Sequence, residues 1–267
     1  MSIRHYTEEH VAVITLDAQE SLNALTIDDM LTLREALVSF QDDGQIRVIV
    51  LTGAGDKAFC TGANLKATNP PAQSFAHGML KSRRGETRQG GYARLIDLSD
   101  LEIWKPIVAA INGYCLGGGI ELALQCDLRI ASESASFGLP EVKVASVPAA
   151  GGVQNLMRTI GSAYAMKLAL TGDRIDAREA LRIGLVSDVV PHASLIEAAL
   201  AIARRIAANG PLAVQAVKKL ALETAHWAPR DFIAQSHVQW GLLRDSVDRL
   251  EGRKAFAERR PPVFKGE

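Results

Sequence analysis

Residues 112–121 form the stretch Asn112-Gly-Tyr-Cys-Leu-Gly-Gly-Gly-Ile-Glu121, which decides the fold class. It follows Ile107–Ile111, a continuous apolar run typical of a strand buried on both faces. Consecutive glycines let the backbone turn sharply and approach a ligand closely. A helix that begins after them leaves N–H groups free at the positive end of its dipole. The pattern predicts an α/β fold and either a tight packing turn or a site that stabilises developing negative charge.

The flanking segments continue the α/β pattern. Thr26 is a predicted N-cap, and apolar residues recur at helical spacing from there to about Asp42. Short apolar or β-branched runs predict further strands at Val11–Leu16, Arg47–Thr52, Cys126–Ala131, Ala135–Gly138 and Leu185–Val190. Shorter helices are predicted over residues 153–160, 163–171 and 177–183, with Gly161 as the glycine after the first of them.

The C-terminal part contains only helical patterns. From Leu195 onward these cover residues 195–208, 211–226 and 231–250, separated by Gly210-Pro211 and by Pro229. We therefore predict two parts, an α/β core over residues 1–194 and a helical region over residues 195–267.

The composition is that of a globular protein. The chain has 267 residues, 48% of them apolar, and a net charge of 0, so no strongly charged partner is indicated. No apolar run approaches the roughly 20 residues of a membrane span, and no signal peptide is visible. The cysteines lack CxxC spacing and the histidines lack metal-ligand spacing. These features predict a cytoplasmic protein with reduced cysteines, no metal and no membrane contact.

Two further glycine turns open predicted helices. Residues 59–66, Phe-Cys-Thr-Gly-Ala-Asn-Leu-Lys, supply a second set of backbone N–H groups, so one N–H from each turn could converge on a single carbonyl oxygen. Lys66 is interpreted as a phosphate contact or, more simply, as a solvated surface lysine. The turn Val147–Gly152 can present N–H groups to the same cavity.

Two glutamates lie among apolar neighbours. Glu121 follows the three glycines, and Glu141 follows the predicted strand that ends at Gly138. Desolvation favours the neutral carboxyl, which suits proton transfer near neutral pH. The simpler interpretations are a helix N-terminal charge for Glu121 and an exposed loop acid for Glu141. Asp127, beside apolar strand residues, is interpreted as structural.

Residues 67–92 predict a long excursion from the core. They contain adjacent prolines, scattered glycines and the basic residues Lys81, Arg83, Arg84 and Arg88. Such loops are usually functional or disordered. Motifs of serine hydrolases, zinc proteases and P-loop proteins are absent, and Gly53-Ala-Gly55 lacks the third glycine of a dinucleotide site.

In their order and spacing, these segments resemble the enoyl-CoA hydratase/isomerase family of the crotonase superfamily. The matching stretches span nearly the whole chain: Ser21–Leu25, Val48–Gly53, Ala58–Lys66, Lys105-Pro106, Ala110–Asp127, Phe137–Glu141, Pro148–Gly152, Glu251-Gly252 and Ala255-Phe256.

The resemblance implies a spiral of ββα units with a C-terminal helical region that forms trimers, often paired into hexamers. It implies an acyl-CoA substrate and no cofactor apart from the coenzyme A of that substrate. The N–H groups of Ala63 and Gly118 would form the oxyanion hole for the thioester oxygen. By motif match, further substrate or CoA contacts fall on Ser21, Leu22, Ala24, Asn64, Leu65, Lys66, Gly117, Ala149 and Lys265.

Hydratases of this family carry two glutamates, and both motif positions are glutamate here. The resemblance implies that Glu121 acts as base toward a water held against Cβ, while Glu141 delivers or removes the proton at Cα. The predicted reaction is reversible hydration of a 2-enoyl-CoA to a 3-hydroxyacyl-CoA. Isomerases commonly keep only the second glutamate. An enoyl-CoA isomerase, or a hydratase for a branched, cyclic or aromatic acyl-CoA, is the alternative.

Two positions depart from the family pattern. Asn64 replaces a common Asp, and Ala149 replaces a usual Gly, so its methyl group would narrow the water site. An RNA-binding relative would need a basic helix, whereas residues 26–43 carry five acidic residues against Arg34 alone. A pseudoenzyme kept for assembly would not need both glutamates.

Overall fold

The computed structural model describes residues 2–65 and 91–267. Lys66 and the basic residues of the predicted excursion therefore lie outside the described residues. Within these ranges, no helix is long and apolar enough to cross a membrane.

The strands form two sheets. In spatial order the larger sheet holds β1 (Ile3–Glu8), β2 (Val11–Leu16), β3 (Val48–Gly53), β5 (Ile107–Ile111), β7 (Leu128–Ser132) and β10 (Asp188–Val190), parallel except for the β1–β2 pair. The smaller sheet holds β4 (Ala58–Cys60), β6 (Tyr114–Leu116), β8 (Ser136–Gly138) and, antiparallel at one edge, β9 (Arg174–Asp176). The consecutive pairs β3–β4, β5–β6 and β7–β8 each place their first strand in the larger sheet and their second in the smaller one.

Ten α-helices surround the sheets in the described part of the chain. They are α1 (Ile27–Asp42), α2 (Gly91–Ile96), α3 (Gly118–Leu124), α4 (Gly152–Thr159), α5 (Ser162–Thr171), α6 (Ala177–Arg182), α7 (Leu195–Ala207), α8 (Pro211–Glu223), α9 (Pro229–Leu243) and α10 (Val247–Glu258). Helix α1 begins with a capping box: Asp29 N donates to Thr26 Oγ1 at 3.2 Å, and Thr26 N donates to Asp29 Oδ2 at 2.9 Å.

The larger sheet separates two apolar clusters. Ile49 and Leu51 of β3 face the main core, while Val48 and Val50 face a second cluster with α7. The helix directly after residue 194 therefore shares a core with the sheet. The predicted boundary there remains a prediction.

A buried ion pair joins the helical region to the sheet. Lys218 Nζ of α8 donates to Asp127 Oδ2 at 2.8 Å, and the same oxygen accepts the N–H of Ile107 at 2.7 Å. The geometry places Asp127 in a structural role, as the sequence indicated.

The longer predicted elements are confirmed and several short ones were missed. Strands β1, β4, β6 and β9 were not predicted, and β6 lies inside the expected glycine turn. Three-residue strands carry too little periodicity to be recognised. Gly161 has φ −59°, so it does not adopt the left-handed conformation of a helix-ending glycine and instead precedes α5. The single helix expected over 231–250 is two, because Ser246 Oγ accepts the N–H of Arg249 and caps α10.

Candidate active site

The smaller sheet brings the predicted site residues to one edge. Strands β4, β6 and β8 are parallel neighbours, with Cys60 opposite Cys115 and Leu116 opposite Gly138. Because the carboxyl ends of parallel strands meet at the same edge, the segments that follow them converge there. These segments carry Ala63, Gly118 with Glu121, and Glu141 respectively.

Two backbone turns lie face to face at this edge. A Cβ added to Gly62 would lie 2.8 Å from Gly118 N, so the turns approach as closely as glycine allows. The turn with Ala63 is fixed by two bonds to Leu25, from Leu25 N to Gly62 O and from Asn64 N to Leu25 O. Neither Ala63 N nor Gly118 N donates a hydrogen bond to another described residue. Both predicted oxyanion donors are therefore available for a ligand.

Glu121 is buried in α3 and is held by a neighbouring turn. Its Oε1 accepts the N–H of Ala150 at 2.7 Å and the N–H of Gly152 at 3.0 Å, and neither donor binds Oε2. Burial raises the pKa of Glu121 to about 6, opposed by these two bonds and assisted by the charge of Glu141. The sequence predicted that the turn 147–152 presents N–H groups to the cavity. In the structure, the N–H groups of Ala150 and Gly152 bond to Glu121 and orient its carboxyl.

Glu141 lies on the short 3₁₀ helix Pro140–Val144 that follows β8. It is half-buried, and burial raises its pKa. A Cβ added to Gly117 would lie 3.0 Å from Glu141 Oε1, so this carboxyl lies against the glycine turn. Its Oε2 is buried and has no hydrogen-bond partner among the described residues. The simpler interpretation of Glu141 as an exposed loop acid is wrong, because its carboxyl is half-buried against the glycine turn.

The predicted CoA-contacting loop, residues 21–24, lies beside the turn that carries Ala63. The hydroxyl of Thr61 donates to Leu22 O at 3.2 Å. The buried side chain of Asn23 accepts from Ala18 N and donates to Ala54 O and Ala58 O, which fixes the loop to β4.

The remaining predicted contact residues are dispersed. Leu65 is 77% exposed and Ala149 is exposed. Lys265 lies on the C-terminal tail, where its backbone N–H donates to Asp248 Oδ1 of α10 at 2.7 Å. A CoA contact of Lys265 stays a prediction.

Sequence reasoning missed Tyr92 of α2. A Cβ added to Gly118 would lie 2.4 Å from the Tyr92 Oη, and this oxygen is buried without a hydrogen-bond partner among the described residues. No sequence signal marks Tyr92, because its neighbours in the site are remote in the chain.

The backbone N–H groups and the carboxyls at this edge are suited to proton transfer next to a carbonyl group. Two available N–H groups can stabilise an oxygen that becomes anionic, and two desolvated carboxyls beside them can move protons on the adjacent carbons. The residues described contain no cluster of three or more His, Cys, Asp or Glu side chains suited to a metal ion.

Comparisons with known proteins agree with this chemistry. The sequence model of the enoyl-CoA hydratase/isomerase family matches residues 6–267. The chain is 47% identical to the (E)-benzylidenesuccinyl-CoA hydratase of Thauera aromatica over 100% of both chains. It is 38% identical to the carnitinyl-CoA dehydratase of Salmonella typhi, over 95% of this chain and 94% of that protein.

Solved structures show the same fold. The crystal structure of an enoyl-CoA hydratase from Bacillus anthracis superposes with a TM-score of 0.89 at 38% identity, covering 100% of both chains. An enoyl-CoA hydratase from Mycobacterium tuberculosis H37Rv gives a TM-score of 0.86 at 36% identity, covering 100% of this chain and 99% of that one. The α/β fold is thus the expected crotonase fold, and the chain belongs to the enoyl-CoA hydratase/isomerase family of the crotonase superfamily.

Proposed function

We propose that the protein hydrates a 2-enoyl-CoA thioester to the 3-hydroxyacyl-CoA, reversibly and without a separate cofactor. One observation carries the proposal: Glu121 and Glu141 are both desolvated and interact electrostatically, beside two backbone N–H groups that have no partner among the described residues. A single carboxyl would suffice to shift a double bond, whereas addition of water needs a base for the water and an acid for Cα.

The reaction follows from these positions. The N–H groups of Ala63 and Gly118 hold the thioester oxygen, and residues 21–24 with Lys66 hold the CoA part. Glu121 accepts a proton from water as the water oxygen bonds to Cβ. The double-bond electrons move to an enolate on the thioester oxygen, and Glu141 gives its proton to Cα. Glu121 ends protonated and Glu141 ionised, and exchange with water restores both.

The acyl group is proposed to be aromatic. Support comes from the relative at 47% identity, whose named substrate combines a benzylidene and a succinyl part. The relative at 38% identity is named for a carnitinyl thioester. Neither relative is therefore named for a simple fatty acyl thioester.

The test follows the loss of the conjugated enoyl-thioester absorbance. Purified protein is added to crotonyl-CoA and to cinnamoyl-CoA, which carries a phenyl ring on the same enoyl group. We expect hydration of both, with the higher kcat/KM for cinnamoyl-CoA. Preference for crotonyl-CoA would refute the aromatic assignment. Conversion of a 3-enoyl-CoA without hydration of any 2-enoyl-CoA would instead support the isomerase.

The rate of hydration is expected to depend on pH with a bell-shaped profile. Glu121 works as a base only when ionised, so kcat/KM falls about tenfold per pH unit below its pKa of about 6. Glu141 works as an acid only when protonated, so the rate also falls as pH rises through its raised pKa. Initial rates of cinnamoyl-CoA hydration from mildly acidic to mildly alkaline pH measure both limbs. A rate that shows no decrease on the acidic side of the profile would contradict the role of Glu121.

We further propose a homotrimer, or a hexamer built from two trimers. Helices α9 and α10 expose large apolar side chains, including Trp240 at 58%, Leu242 at 71% and Phe256 at 87%. Exposed apolar groups of this size typically mark a protein interface. Light scattering should give three or six times the chain mass of 28.7 kDa. A monomer at micromolar concentration would contradict the proposal.

A further inference from the structure

The side chain of Tyr92 places a buried hydroxyl beside Gly118, one of the two predicted oxyanion donors. A Cβ on Gly118 would come within 2.4 Å of the Tyr92 Oη and 2.8 Å of the ring carbon Cε1, so the ring edge with its hydroxyl packs on the backbone of Gly118. The hydroxyl has no hydrogen-bond partner among the described residues. A buried polar group without a partner destabilises the folded protein, so a bound ligand that accepts this hydrogen bond would recover the lost free energy.

The Tyr92 hydroxyl stays protonated and can therefore donate a hydrogen bond. Burial raises the pKa of Tyr92 well above its usual range, and the charges of Cys60, Glu121 and Glu141 raise it further. The phenol therefore keeps its proton throughout the working pH range. The geometry also places the two groups on one turn, since Glu141 Oε1 lies against Gly117 and the Tyr92 hydroxyl lies against Gly118.

The helix that carries Tyr92 is held to the catalytic helix. Arg34, buried in α1, donates to Leu95 O at 3.1 Å and to Asp97 O at 2.6 Å at the end of α2. Gln125 Nε2 donates both to Ile96 O at 2.9 Å and to Glu121 O at 3.1 Å. These bonds connect α2 directly to Glu121 and fix the hydroxyl relative to the reacting groups.

We propose that Tyr92 is a third hydrogen-bond donor to the thioester oxygen of the substrate, in addition to the N–H groups of Ala63 and Gly118. This inference rests on the proposed function. A 2-enoyl thioester with a hydrocarbon chain offers one acyl acceptor near Gly118, its carbonyl oxygen. That oxygen gains negative charge in the enolate, so a third donor binds the transition state more strongly than the substrate.

The variant Tyr92→Phe removes only the hydroxyl. We expect kcat to fall about 10- to 100-fold on both crotonyl-CoA and cinnamoyl-CoA, with little change in KM. The melting temperature should not fall, because the lost hydroxyl had no partner among the residues that the structure describes. Tyr6→Phe, on the exposed face of the edge strand β1, is the matched control and should retain full activity.

A second measurement separates enolate stabilisation from water binding. Incubation of butyryl-CoA in D₂O exchanges the Cα protons through the enolate without adding water to a double bond, and mass spectrometry follows the exchange. Tyr92→Phe should slow this exchange by the same factor as hydration. Unchanged exchange, unchanged kcat, or a loss confined to one acyl group would overturn the proposal.

The two proposals fail in distinguishable ways. If the wild-type protein exchanges the Cα protons of butyryl-CoA but hydrates no enoyl-CoA, the hydratase assignment fails while the role of Tyr92 is still decided by the exchange rate. If the wild type neither exchanges nor hydrates, both proposals are wrong.

Discussion

Glu121→Gln and Glu141→Gln are each expected to lower kcat for hydration about 100- to 10,000-fold, the usual contribution of a general acid or base. Glutamine keeps the shape of the side chain. At residue 121 its carbonyl oxygen can still accept the N–H groups of Ala150 and Gly152, so the turn should stay in place. The KM for the thioester should change little, because the proposed CoA contacts and oxyanion donors are other residues.

The two variants also decide between hydratase and isomerase. In an isomerase, Glu121→Gln would retain most of the conversion of a 3-enoyl-CoA to the 2-enoyl-CoA, while Glu141→Gln would abolish it. In a hydratase, both variants lose hydration, and the double variant is scarcely slower than either single one, because the residues act as a unit. Glu133→Gln, an exposed glutamate after β7, is the matched control. Full hydration activity in Glu121→Gln would refute the assigned base.

Asp127→Ala is expected to lower the free energy of unfolding by about 3 kcal/mol. The substitution leaves Lys218 buried without its counter-ion. Ile107 N also loses its acceptor. For a chain of this size the loss corresponds to a decrease of about 6–12 °C in the melting temperature. Differential scanning calorimetry at matched protein concentration measures it.

Two further variants test the cause of this loss. Asp127→Asn can keep the bond to Ile107 N but removes the charge, so its stability should fall between those of the wild type and Asp127→Ala. Asp173→Ala removes an exposed carboxyl that pairs with Lys143 at 2.9 Å and should leave the melting temperature unchanged. Equal effects of Asp127→Ala and Asp173→Ala would show that the buried pair with Lys218 does not stabilise the join between α8 and the sheet.

The amino-acid sequence was enough to predict the α/β class, the longer strands and helices, and the residues of the site motifs. These signals are local: β3 is apolar except for Thr52, the Thr26 cap precedes apolar residues at helical spacing, and the three glycines precede Glu121. The family resemblance added the roles of Glu121 and Glu141 as predictions, which the desolvation of both carboxyls beside the glycine turn supports.

How these residues come together depends on tertiary contacts. Strands β4 and β6 are three residues each and carry no periodic pattern, yet with β8 they bring Ala63, Gly118 and Glu141 to one edge. The donors that hold Glu121 come from a turn 29 and 31 residues away. The position of Tyr92 depends on packing against Gly118. Such contacts form between segments remote in the chain, so no local pattern of side chains encodes them.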